Sequence, residues 1–569
     1  MHKRVVIFLF FFLIAIVCDA QNINRAQVIH RHDIYQNSAD TLSSLTLGNG
    51  AFAFTADITG LQTFYKEYAQ GVPLGTQSEW GWHSFPNGKN LTIDQTYKYY
   101  DLFQKKGVSY SVQSKEAKDA VEYFRVNPHR LQLGNVGFVF LMKDGDTATL
   151  KDIKNIKQRL DLYTGILESR FTVDDELVQV ITFANQDADG ISFSVESPLV
   201  KLRRLFVRVA FPYPTGAFTD VGDHFSEDVS HQSVYNGNKG NSGYFKHSLD
   251  TTTYYINANW NQKISMDSTR KNFFIVKPIG SSNVFKANLV FSPIEKKNKA
   301  TFEKIKNNNR TAWKEFWESG GAIDFSGSTD KRAFELERRI ILSQYLTKAQ
   351  GAGSYPPQET GLTYNSWYGK PHLEMYWWHA AHFALWGRPE LLEKSFDWFV
   401  TVADKAKAIA QRQGFEGIRW QKMTDPGGNE SPASVGNFLI WQQPHFIYLA
   451  ELLYRTKEEK QPILDKYKEW VYETADFMAS FAVYDSLTKC YNLGKGLIPA
   501  QECFNPMETY NPPYELAYWS WALQVAQEWR ERSGLPRKKK WDDVINNLAP
   551  LPQKDGLYLG SAEKLYSFC

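Results

Sequence analysis

The chain changes character across EKKNKATFEKIKNNNRTAWKEFWES, residues 295–319, and DKRAFELERRIILSQY, residues 330–345. In the first stretch Lys and Glu fall on most faces, while Trp313, Phe316 and Trp317 gather on one edge. That is the pattern of a helix solvated on all sides but one. In the second, Phe334, Leu336, Ile340, Ile341 and Tyr345 recur at helical spacing behind Asp330, a plausible helix start. The same period continues in Met375–Trp386, Leu391–Arg412, Ser434–Arg455, Ile463–Val483, Tyr514–Ser533 and Trp541–Leu548. Seven helical patterns therefore follow residue 320, separated by loops rich in Gly, Pro and Asn.

Upstream the period is two. Gly50–Asp57, Val136–Met142, Leu177–Phe183, Leu202–Phe211, Phe273–Pro278 and Phe285–Phe291 are short alternating runs broken by Gly, Asn, Asp and Ser. Such runs predict a large antiparallel β-sandwich. The expected organisation is a β-sandwich domain over 35–294, a helical linker over 295–327 and an α-helical barrel domain over 328–569.

Composition narrows the partners. Across 569 residues Lys and Arg number 65 and Asp and Glu 62, a net +3, so no strong overall field exists to hold nucleic acid or an anionic membrane. Aromatic residues reach 15%, and of 17 Trp only Trp80, Trp82 and Trp260 precede residue 300. The helical half is thus the tryptophan-rich half. At the start, His2, Lys3 and Arg4 precede an apolar run from Val5 to Val17 and then Cys18-Asp19-Ala20. This reads as a signal peptide over residues 1–20, cut after Ala20, and implies export to a periplasmic or extracellular compartment. The run is short for a membrane span, so no membrane association is expected after cleavage. Cys490, Cys503 and Cys569 then remain. A Cys490–Cys503 bridge and core thiols are both open readings.

Three loops concentrate groups that could do chemistry. Thr363–His379 alternates aromatic and polar residues, including Trp367, Tyr368, His372, Glu374 and Trp377. Aromatic faces with nearby carboxylates are the composition of a carbohydrate pocket. Gly414–Ser431 concentrates Arg419, Trp420, Lys422, Asp425 and Glu430 in a stretch too rich in Gly for an element interior. Ile498–Asn505 contains Glu502, which burial beside Cys503 and Phe504 would keep protonated as a general acid. His379 and His382 could share a helix face, but no Cys or second carboxylate has matching spacing, so no metal or other cofactor is expected. Nucleophile elbows, Walker loops, dinucleotide fingerprints and His-Glu-x-x-His are not found in the sequence.

At these loops the sequence resembles glycoside hydrolase family 65, a six-hairpin group that includes trehalases, kojibiose and maltose phosphorylases and a glucosyl-hydroxylysine glucosidase. Ser43–Gly50 ends in the Leu-Gly-Asn-Gly that opens the family's sandwich domain. Gly369–Glu390 is similar to the family's Trp-Asp-Thr-Glu substrate loop, with Glu374, Tyr376 and Trp377 in its place. Gly414–Glu430 is similar to the next loop and puts Glu430 on that loop's last carboxylate. Pro499-Ala-Gln-Glu502 looks like Pro-Asp-Glu-Tyr-His, whose glutamate is the family's general acid; here Gln501, Cys503 and Phe504 depart from it, and Gln443 stands where Glu is common.

The resemblance implies a sandwich followed by a six-hairpin (α/α)6 barrel, and seven patterns fall short of twelve helices, so the expectation is a barrel that the chain leaves incomplete. Taken with the export read from the N-terminal segment, which favours water over phosphate, it implies a glycoside hydrolase acting on an α-glucoside-like oligosaccharide or glycoconjugate, by inversion. Glu502 would be the acid, and Glu374 or Asp425 the base unless the base lies beyond Cys569. Trp367, Tyr368, His372, Trp377, Arg419, Trp420, Lys422, Glu430 and Gln443 would bind the sugar. A non-catalytic carbohydrate-binding protein and, more remotely, a disaccharide phosphorylase are the alternatives.

Overall fold

The computed structural model describes residues 23–225, 230–237, 241–296 and 300–562. The expected signal peptide, residues 1–20, lies outside these.

The N-terminal half is built on a nine-stranded antiparallel sheet. In spatial order its strands are Ile34–Gln36, Lys154–Asp161, Ile166–Val173, Glu176–Ala184, Gly190–Glu196, Val284–Ser292, Thr252–Trp260, Ser242–Leu249 and His231–Gly237. A four-stranded sheet of Ile264–Arg270, Phe273–Pro278, Leu205–Ala210 and Asn135–Phe140 shares its core. Register puts apolar partners opposite one another, as in Phe171↔Val178, Val180↔Val195 and Phe193↔Ala287. Each of these side chains is buried, so a one-residue slip would turn the set toward solvent.

The helix Phe302–Glu318 joins the halves. Thr301 caps it by accepting from the Lys304 amide at 3.3 Å. Its buried face carries Ile305, Asn309, Trp313, Phe316 and Trp317, and the last three belong to the sandwich core. Trp313 stacks at 4.6 Å on Tyr345 of the helix Ala333–Gly351, and the Trp317 indole donates to the Leu162 carbonyl at 2.8 Å. The seam is tight at Gly165, whose φ is +61°: a Cβ there would lie 2.0 Å from Trp313 Nε1.

Beyond the seam the described residues hold seven helices. Tyr376–Leu385, His445–Thr456 and Pro513–Arg532 touch in one row; Pro389–Arg412, Lys460–Phe481 and Lys539–Asn547 form a second row against it. Because the chain alternates between rows, one end carries short turns over 386–388, 457–459 and 533–538, and the other carries long connections over 352–375, 413–444 and 482–512. The hairpin of Tyr97–Tyr100 and Val108–Ser111, from the sandwich half, packs into the long-loop end: Tyr110 stacks on Phe438 at 4.2 Å and donates to the Gly496 carbonyl at 3.1 Å. Among the described residues no helix is long and apolar enough to cross a membrane.

Candidate functional site

The three long loops are stitched to one another. The Leu373 amide donates to Lys422 O at 2.7 Å, the Thr424 amide to Pro371 O at 3.2 Å, and the Ile498 amide to Phe438 O at 3.0 Å. Residues far apart in sequence are thereby delivered to one point. Lys422 Nζ stands 2.9 Å from Glu374 Oε1 and 3.1 Å from Glu502 Oε1. The two bridging oxygens are therefore no more than about 6 Å apart. Trp367 covers this group, with its ring 4.9 Å from Lys422 Nζ and 5.7 Å from the His372 ring.

The two carboxyls have unequal surroundings. Glu374 is 5% exposed, and its Oε2 is buried without a hydrogen-bond partner. Burial, the largest influence, pushes its pKa up to about 7 although Lys422 pulls it down; Glu502 and Glu359 add to the rise. Lys422 loses hydration too, but the two carboxylates outweigh that loss and raise its pKa. Glu502 has a side chain 42% exposed. The burial expected to hold a proton on Glu502 thus falls on Glu374 instead.

Backbone strain gathers at the same place. Among the described residues the non-glycine positions with positive φ are mostly Asn and Asp, which tolerate it. The exceptions are Arg203, Lys489 and three site residues, Trp367 at +48°, Tyr368 at +59° and Glu502 at +62°. Each costs of the order of 1–3 kcal/mol and persists only where the surroundings impose it, as active sites do. Part of the imposing comes from the sandwich. Phe218 packs on Trp367 at 4.7 Å and on Tyr368 at 5.8 Å, and its carbonyl accepts from the Tyr368 amide at 3.1 Å.

Sequence reasoning missed Phe218, which no local pattern could reveal, and Glu515. The latter is buried at the start of the helix Pro513–Arg532 and accepts from the Ala500 amide at 2.8 Å, tying that helix to the Glu502 loop. Burial raises its pKa to about 7. Its place in Tyr514-Glu515-Leu516, amid aromatics, was the available signal.

Other expected residues do not join the group. Arg419 is 1% exposed and gives its guanidinium to Gln413 Oε1 at 2.6 Å and Asn437 O at 2.7 Å. Trp420 stacks on Phe446 and donates to Thr474 Oγ1 at 3.0 Å, deep in the helical core. Gln443 is a staple, accepting from the Trp420 amide at 2.8 Å and donating to Ile418 O at 2.7 Å. Substrate contact through these three is corrected, because their polar atoms are spent inside the fold. Asp425 is corrected as a base: it accepts from the Gly427 and Asn429 amides, each at 2.9 Å, and together with Glu430 it lines a different cavity. Glu430 is paired with Arg412.

Trp377 lies on an aromatic surface formed by the helices Tyr376–Leu385, His445–Thr456 and Pro513–Arg532 together with Trp441 of the 413–444 connection. Contacts of 5.6 to 6.3 Å run from Trp377 through Trp378, Trp441, Tyr514, Tyr518, Trp521 and Tyr448 back to Trp377. His379 and His382 bond to the carbonyls of Glu359 and His379, so they do not present a paired face for a metal. Among the described residues, the cluster His30, Asp33 and Asp161 has metal-like spacing, but Arg159 already holds Asp33 at 2.6 Å. Cys503 is disulfide-bonded and Cys490 keeps a free thiol, which excludes a bridge between them.

No family profile and no curated protein matches the sequence. Among solved structures the chain is similar to one from the human microbiome named as a kojibiose phosphorylase, with TM-score 0.60, 13% identity, and coverage of 94% of this chain and 72% of that one. It also resembles a bacterial glucoamylase complexed with acarbose (TM-score 0.48, 12% identity, 90% and 69% covered) and a GH92 glycosyl hydrolase (0.45, 10%, 96% and 68%). The first of these shows the fold, a sandwich followed by helices. The other two carry no further weight.

Proposed function

We propose that this chain is a carbohydrate-active enzyme that cleaves a glycosidic bond between Glu374 and Glu502, with an α-glucoside-like oligosaccharide as substrate. The observation that carries the reading is the Lys422-bridged pair: one carboxyl buried with a pKa near 7, the other open to solvent, both under a strained aromatic loop. Glu374 is then the group able to give a proton to the leaving oxygen near neutral pH. As the C–O bond breaks, Glu502 serves the opposite face, either taking the proton of an attacking water or attacking the anomeric carbon itself. These roles are exchanged relative to the family resemblance.

The bridging oxygens, at most about 6 Å apart, are tighter than the ~6.5–9.5 Å of inverting pairs. The anomer released first from an α-glucoside separates the routes: a β-anomer means that the carboxyls spread to admit water, an α-anomer direct attack by Glu502. Turnover should fall by about 10²–10⁴ in Glu374→Gln and Glu502→Gln. One observation favours a second reading, a binding-only protein: the Lys422 ammonium occupies the gap between the carboxylates. Wild-type protein that binds oligosaccharides but hydrolyses none would establish it, and product formed only with phosphate would identify a phosphorylase. Export is part of the proposal, and the disulfide at Cys503 is chemistry that an oxidising compartment permits.

A further inference from the structure

Two of the three long connections, 352–375 with Glu374 and 413–444 with Lys422, also wall a second cavity. It has a volume of about 430 Å³ and opens at the seam between the two halves. One wall comes from the sandwich half, with Tyr97, Tyr123 and Phe124; the other comes from the helix Pro389–Arg412 and the 425–430 turn, with Asp425, Asn429 and Glu430. Neither Glu374, Lys422 nor Glu502 lines it.

Its charges are largely committed. Arg412 Nη2 donates to Glu430 Oε2 at 3.1 Å, and its guanidinium lies 4.0 Å over the Tyr97 ring, which leaves the Arg412 Nε buried without a partner. Lys370 is fully buried and spends three donors on Phe124 O at 2.8 Å, Asn127 O at 3.2 Å and Ser431 Oγ at 3.2 Å. Lys405 is the remaining cation, and it is exposed at the rim. Such a lining offers an anion no matched cluster of free cations. It does offer aromatic rings on one side, and amide and carboxylate oxygens facing them. The volume falls in the range of small-molecule sites, ~300–1,000 Å³.

We propose that this cavity is a second carbohydrate site, non-catalytic, taking a neutral sugar of one or two rings that stacks on the aromatic wall and hydrogen-bonds to the Asp425–Glu430 turn. It goes beyond the proposed cleavage and does not need it to be correct. It also has a route to the carboxyl pair: Lys370 is four residues before Glu374 and Asp425 three after Lys422, on two segments paired through Leu373 N–Lys422 O and Thr424 N–Pro371 O. A sugar held there bears on the strands that set the Glu374–Lys422 contact.

The test uses the full-length Glu502→Gln protein, so that no substrate is consumed, titrated calorimetrically with glucose, maltose and kojibiose, and with inorganic phosphate as control. Ala408 lies exposed at the rim on a helix surface, where Ala408→Trp fills the cavity without entering a core. The expected result is two sugar sites per chain, with the second lost or weakened at least tenfold by Ala408→Trp. Saturation transfer from aromatic protons to that sugar, abolished in the same variant, is the independent readout. A single site that Ala408→Trp leaves untouched, or phosphate binding that Ala408→Trp removes while sugars bind as before, would overturn the proposal. If wild-type protein hydrolyses nothing yet the Ala408-sensitive site binds, the cleavage reading fails and this one stands.

Discussion

Replacing Glu374 by Gln should stabilise the protein in alkaline solution and not in acid, because the wild-type carboxyl carries a cost that depends on pH. Unfolded, the group titrates near its ordinary 4.5; folded, burial holds it at about 7. Below 4.5 both states bind the proton and there is no differential. Between 4.5 and 7 the unfolded chain has lost the proton while the folded one keeps it, so stability falls as pH rises, by about 1.4 kcal/mol per pH unit. Above 7 both are ionised and the full cost stands, about 3 kcal/mol for a shift of this size. Gln does not titrate, so it removes the slope. It also removes one partner of Lys422, but that attraction is already contained in the folded pKa of about 7, so it adds nothing to the difference between the two pH values. The quantity to measure is therefore a difference of differences. Scanning calorimetry of wild type and Glu374→Gln at pH 4.5 and pH 8 should show the variant gaining about 3 kcal/mol relative to wild type between the two conditions. For a helical half of this size that is roughly 6–12 °C in Tm. An equal offset at both pH values would show that Glu374 is not desolvated as described, and the assignment of the acid would go with it.

Lys422→Met should move the alkaline limb of the kcat/KM profile upward by about 1–3 pH units, since the ammonium that lowers the Glu374 pKa is gone; an unmoved limb would separate Glu374 from the reaction. Gly165→Ala should lower stability by about 2 kcal/mol or more, from a left-handed φ and a collision with the Trp313 indole, read as a shift in the urea midpoint. Gln443→Ala should cost about 1–3 kcal/mol by leaving the Trp420 amide and Ile418 carbonyl unpaired in the core, while KM for an oligosaccharide stays the same. A raised KM would return Gln443 to the substrate.

The fold was legible because its two halves obey different periods. Alternation in Glu176–Ala184 and helical recurrence in Phe334–Tyr345 are local, and the seven patterns after residue 320 answer to seven helices. The site was legible in outline: Trp367, His372, Glu374, Lys422 and Glu502 sit on aromatic, Gly-rich or Pro-flanked loops, and the structure brings them together. Composition could not say which way a loop side chain turns. Arg419 and Lys422 are three residues apart, yet one is hydrogen-bonded inside to Gln413 and the Asn437 carbonyl and the other reaches two carboxylates. Nor could it say that Glu502 stays open while Glu374 is covered, since burial depends on neighbours that the fold brings from distant segments, as Lys422 is brought to Glu374.

The closed circuit of Trp377, Trp378, Trp441, Tyr514, Tyr518, Trp521 and Tyr448 has an optical consequence. Rings in contact exchange excitation, so tyrosines excited in this circuit pass their energy to its four tryptophans. Trp378 and Trp521, 52% and 37% exposed, emit as hydrated indoles and are open to collisional quenchers such as iodide, while Trp441, 8% exposed, is shielded. With only Trp80, Trp82 and Trp260 ahead of residue 300, the emission spectrum of this protein is in large part a spectrum of its helical half. A ligand that settles on this circuit of rings should shift that emission to the blue and protect it from iodide.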